Sequence, residues 1–122
     1  MVLNVLSVGL GGAIGAALRY LLGLLPVKSQ SGFPWITLFI NIIGAFCIGL
    51  IACSVIKSNA LSPRMVLFLK VGICGGFTTF STFSLESYNL LSSGKVFVAV
   101  LYMIASVVCG VLATWAAFAL VK

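Results

Sequence analysis

Four apolar stretches, each long enough to cross a lipid bilayer and together almost free of charge, leave this chain few ways to fold. A spanning helix needs about 20 mostly apolar residues. The stretches run from about Val5 to Leu25, Trp35 to Ile56, Met65 to Leu91 and Val96 to Val121. The second and fourth contain no charged residue, the first holds only Arg19, and the third holds Lys70 and Glu86. Pro26 and the polar run to Gly32 close the first stretch. The links around Ser58–Ser62 and Ser92–Lys95 are short, so neighbouring helices should run antiparallel. The expected fold is an all-α membrane protein of four transmembrane helices, a single domain over residues 1–122 without linker or low-complexity tail.

Composition removes the main alternatives. With 62% hydrophobic and 7% charged residues, the chain lacks the polar side chains to clothe a water-soluble domain. A net charge of +6 invites a nucleic-acid reading, but the seven cations stand singly along the chain instead of clustering on one face. They are placed as charges flanking membrane spans are placed. There is no His, Glu86 is the only acid, and Cys47, Cys53, Cys74 and Cys109 have no CxxC spacing. A zinc-type site or a nucleophile–base pair therefore lacks its parts, and an enzyme is not expected. Nor is a cleavable leader, since Met1 is followed at once by apolar residues.

The flanking charges specify orientation weakly. Lys57, Arg64 and Lys122 fall on one side of the membrane, Lys28 and Lys95 on the other. A chain that inserts both ways round can pair with itself antiparallel, and four short helices enclose too little volume for a pathway without a second copy. One fixed orientation is the alternative.

Glycines concentrate in the first stretch: Gly9, Gly11, Gly12, Gly15 and Gly23. Gly11 with Gly15, and Gly12 with Ala16, are small-xxx-small pairs that let helices approach closely in lipid. Arg19 shares a face with Gly15 and Gly23. It is either a buried functional cation or a side chain snorkelling to the interface, and Lys70 has the same two readings.

The third stretch holds the main irregularity. Gly75-Gly76-Phe77-Thr78-Thr79 sets two glycines and two threonines, poor helix formers, in the middle of a span. A break there would free backbone groups that lipid cannot satisfy, the arrangement found at ion sites in membrane proteins. The alternative is a kinked helix whose hydroxyls bond back to i−4 carbonyls. Beyond it, Phe80 and Phe83 share a face near Thr79, Thr82 and Glu86. Aromatic edges carry partial positive charge that can meet an anion, although Phe in a membrane is usually filler. Thr37, Asn41 and Gly44 recur on one face of the second stretch, as do Tyr102, Ser106 and Gly110 on the fourth. Asn41 either glues helices or offers N–H to an anion.

At these residues the sequence resembles the Fluc, or CrcB-type, fluoride channel family. The likeness covers nearly the whole chain: Gly11–Tyr20, Thr37–Gly44 and above all the Gly75–Ser84 motif GGFTTFSTFS. It implies an antiparallel, dual-topology homodimer in a microbial inner membrane, with two pores that export fluoride passively. By matching position, Asn41 would be a pore-lining donor, and Phe80 and Phe83 would supply aromatic edges. Carbonyls of Gly75 and Thr78 from both chains would hold a structural sodium ion. Ser81, Thr82, Tyr102 and Ser106 would form a polar track, with Glu86 near one end and Arg19 at a vestibule. The competing reading is a small dual-topology multidrug or cation exporter. That chemistry needs a membrane-buried acid, usually in the first helix, and none is there. A purely structural subunit would not need Asn41, the break and the hydroxyls together.

Overall fold

The computed structural model describes residues 1–121, and within them four helical segments are long and apolar enough to span a membrane. These are α1 (Val2–Gly23), α2 (Trp35–Ser58), a composite third span over Pro63–Ser92, and a final helix over Val96–Val121. The third span is α3 (Pro63–Val66), a wide π-helical stretch (Leu67–Cys74), the single turn α4 (Gly75–Phe77) and, after a break, α5 (Phe80–Ser92). The last span is α6. At about 1.5 Å per residue, the 22 residues of α1, the shortest span, still exceed the ~30 Å hydrocarbon thickness.

Local chemistry sets the ends. Asn59, in the left-handed conformation (φ 47°), stops α2. Pro63 opens α3, where its missing N–H costs nothing, and the Ser62 hydroxyl accepts from the Met65 amide at 3.2 Å. Gly94 (φ 84°) makes the tight turn into α6. The turn also gathers charge by end: Lys95 lies over Gly32 of the α1–α2 loop, so Lys28 and Lys95 share one end of the bundle. At the other, Arg64 reaches Asn4 (3.4 Å) and Lys57 donates to the Val121 carbonyl (3.1 Å). This is the grouping the sequence implied, apart from Lys122, which lies outside the described residues.

Packing follows the small residues. Lipid tails are as apolar as the side chains, so close backbone approach replaces the hydrophobic effect as the force between helices. A Cβ built on Gly72 would stand 2.9 Å from the Gly11 Cα, and one on Gly76 the same distance from the Gly12 Cα. At Gly15 it would run into the Ile73 carbonyl. Thus α1 and the first limb of the third span touch backbone to backbone. The α2–α6 pair uses Gly49 against Ala117 and a Thr114 hydroxyl that donates to the Ala45 carbonyl at 3.0 Å. Phe33, Leu38, Leu90, Ala99 and Tyr102 form the small apolar core between α2, α5 and α6.

The expected break is present, at the downstream edge of the Gly75–Thr78 stretch. Gly75 and Gly76 stay helical, whereas Thr78 (ψ 158°) and Thr79 (ψ 120°) are extended. Gly76 lets α1 come close, and the threonines turn the chain.

Candidate functional site

The break is built from three diverted hydrogen bonds. Asn41, in mid-α2, grips the Thr79 peptide from both sides: its Oδ1 accepts from the Thr79 N–H at 2.8 Å and its Nδ2 donates to the Thr79 carbonyl at 3.1 Å. The reciprocal pair fixes which side-chain atom is oxygen, because a flipped amide would satisfy neither contact. The Thr79 hydroxyl accepts from the Thr82 amide at 3.1 Å and caps α5. In an unbroken helix the amides of Thr79 and Thr82 would satisfy the carbonyls of Gly75 and Thr78. Here both amides are spent on side chains, so those two carbonyls are released. The Gly76 carbonyl accepts from Arg19 Nε at 3.1 Å, which ties α1 to the break. Of the two readings of Arg19, this favours an inward-turned cation with a fixed partner.

The stripe on α2 explains why the break sits where it does. Thr78 bonds back to the Cys74 carbonyl through its hydroxyl (2.9 Å), leaving its methyl group in the space a side chain on Gly44 would fill. Thr37 donates to Glu86 Oε2 at 3.0 Å. Thr37, Asn41 and Gly44 thus each hold a different part of the third span.

Around the break the candidate residues divide between two open cavities. One, of about 370 Å³, is walled by Asn41, Gly75, Thr78, Phe80, Phe83 and Ser106 among others. Asn41 keeps a second amide hydrogen beyond the one given to Thr79. Ser106 is its unsettled member: among the described residues, its hydroxyl is the one buried side-chain polar atom without a hydrogen-bond partner. The rings of Phe80 and Phe83 lie 5.7 Å apart, and Phe83 meets Tyr102 at 5.1 Å. Phe80 is 78% exposed, touching its own chain mainly on the side that faces Phe83. The other cavity, about 340 Å³, is lined by Arg19, Thr79, Thr82 and Glu86 with Thr37. Tyr102 is fully buried between these regions and donates to Glu86 Oε1 at 2.8 Å. Both oxygens of the only acid therefore receive a hydroxyl. Ser81 is exposed and lines neither cavity, so the expected track of Ser81, Thr82, Tyr102 and Ser106 is not continuous within one chain.

The sequence motifs flagged Asn41, the phenylalanines and Glu86, but not the grip on Thr79, the capping hydroxyl of Thr79 or the role of Thr37. A capping threonine three residues before Thr82 was the available signal.

Residues 6–118 match the family described as CrcB-like protein, camphor resistance (CrcB). The chain belongs to this family. Its relatives include the "fluoride-specific ion channel FluC" of Rhizobium meliloti, 43% identical over 98% of this chain and 96% of the relative. The protein of that name from Geobacter sulfurreducens is 44% identical over 93% of this chain and 92% of its own. "Fluoride-specific ion channel FluC 1" of Nitrobacter hamburgensis is 48% identical over 97% and 94% respectively. As a CrcB family member with four spanning helices, the chain is a multi-pass membrane protein, and these relatives are named as channels, not as enzymes. No comparison favours the multidrug exporter.

Proposed function

We propose that this CrcB family member is a passive fluoride-selective channel of the plasma membrane, working as an antiparallel homodimer with two pores. The observation that carries the reading is the cavity beside the break. It offers an amide hydrogen of Asn41, the orphan hydroxyl of Ser106 and the rings of Phe80 and Phe83, with no lysine or arginine in its wall. Such donors replace part of the water around a small, strongly hydrated anion without trapping it, the compromise conduction demands. Weak aromatic edges reward a short approach, which a larger anion with a diffuse charge does not make. The names of the relatives cited above support the same substrate.

The dimer is supported by what one chain leaves open. Phe80 is largely exposed beside Phe83, and the cavity opens outward. A second copy would close it, and the even charge balance permits that copy to be inverted. Sodium is supported by the released carbonyls of Gly75 and Thr78, since carbonyl oxygens suit a hard cation. Bound there, sodium would neutralise carbonyl dipoles that lipid cannot. Ser81, exposed on α5, would meet the pore only across the dimer contact.

Fluoride efflux from liposomes holding the purified protein tests the reading. Rapid fluoride loss with chloride retained is expected, and Phe83→Ile should abolish or greatly reduce it. Equal passage of chloride, or no passive flux, refutes the channel.

A further inference from the structure

A third cavity, of about 420 Å³, lies at the end of the bundle beneath the α1–α2 loop. The loop segment from Val27 to Pro34, the first turn of α2 and Asn89, Leu90 and Ser93 of α5 wall it, and Glu86 and Thr37 form its floor. Those floor residues, with Ile36, also line the cavity of Arg19, Thr79 and Thr82, so the two spaces meet across three shared side chains. One cation lines the cavity and a second lies near its Gly32. Lys28 stands in the wall itself, and the Lys95 ammonium lies so close to the Gly32 backbone that a Cβ there would come within 3.0 Å of it. The only acid in contact with the space, Glu86, has both oxygens engaged by the hydroxyls of Thr37 and Tyr102. The first turn of α2, which has no side-chain cap, adds the positive end of a helix dipole.

We infer that this cavity is the outer mouth of the anion pathway, with Lys28 as the residue that raises the local concentration of a small monovalent anion there. The inference rests on the channel reading and adds residues to it. The narrow part of the route is nearly free of full charge, so it selects without attracting; attraction falls to the mouth. An exposed lysine suits that task because its pull is felt by an anion in water and is too weak to hold it. Gly32 leaves room for the Lys95 ammonium, and α6 begins immediately after Lys95.

The test is fluoride efflux from liposomes at two ionic strengths, about 10 mM and about 1 M, where the screening length falls from about 30 Å to about 3 Å. At low salt Lys28→Gln should slow efflux roughly two- to fivefold, Lys28→Glu more, and Lys28→Arg hardly at all, the scale set by one unit charge at an aqueous opening. At high salt all four proteins should run alike, with chloride still excluded. Lys57→Gln, at the other end of the chain, should cost less at low salt than Lys28→Gln. Wild-type rates in Lys28→Gln at low salt, a loss that ignores salt, or an equal loss in Lys57→Gln overturns the inference while the channel stands. A wild-type protein that passes no fluoride removes both.

Discussion

At the scale of the residue, Asn41 bears the most weight. Leaving a buried amide or carbonyl unpaired costs on the order of 1–3 kcal/mol, and Asn41→Ala would orphan one of each at Thr79. A clear fall in thermal midpoint, with fluoride flux lost, is expected. Asn41→Asp keeps the acceptor and loses the donor, so its midpoint should lie between alanine and wild type. Gly44 offers a sharper test. Gly44→Ala puts a methyl group where the Thr78 methyl already lies, and Thr78→Ser removes that methyl while keeping the hydroxyl bond to Cys74. The double variant should therefore melt above Gly44→Ala alone, and a melting series of the four proteins reads the coupling directly. An additive result would mean that the two side chains do not compete for the same space.

At the scale of the element, the third span is two limbs held by different partners. The first, through α4, lies on the glycines of α1; the second, α5, is held by α2 and α6 through Thr37, Asn41 and Tyr102. Gly76→Ala should separate α1 from the first limb and lower the yield of folded protein in detergent. Gly9→Ala, whose Cβ would meet nothing within 4 Å, should leave that yield unchanged. The contrast between two glycine-to-alanine changes excludes a general effect of composition. Much at this scale was legible in the residues. Span lengths, the short links and the small-xxx-small pairs follow from local pattern, and the stripe of Thr37, Asn41 and Gly44 announced a face. The exact place of the break did not. Propensity treats Gly75 and Gly76 as the weak point, yet both stay helical, with Gly76 packed against Gly12 of α1. Nor does any local pattern show that Leu67–Cys74 winds wide, because that depends on what the turn must fit against.

At the scale of the whole molecule, a single chain leaves many large apolar side chains uncovered. Its cavities open outward, and the surface is covered by large apolar side chains, as lipid or a second copy requires. The groove walled by Ser106, Gly110, Thr114 and Trp115 continues the cavity of Ser106 along α6. A Cβ on Gly110 would meet nothing within 4 Å, so Gly110→Leu directs its added bulk into this groove. If the second copy seats on this groove, the variant should remain folded but shift from dimer to monomer, measured by light scattering of the detergent-solubilised protein. A dimer that persists would put the contact on another face. The site was less legible than the fold because Phe80 and Ser81 look outward, and no periodic pattern shows what an outward-facing residue meets.

The grip of Asn41 on Thr79 has a further meaning. An amide side chain that gives and takes hydrogen bonds with one peptide behaves as a neighbouring β-strand would, for the length of a single residue. The third span thus contains a sheet ladder reduced to one rung, completed by a side chain from another helix. Replacing Asn41 is in effect a change to the backbone, because that rung holds the extended residue between the two limbs of the third span.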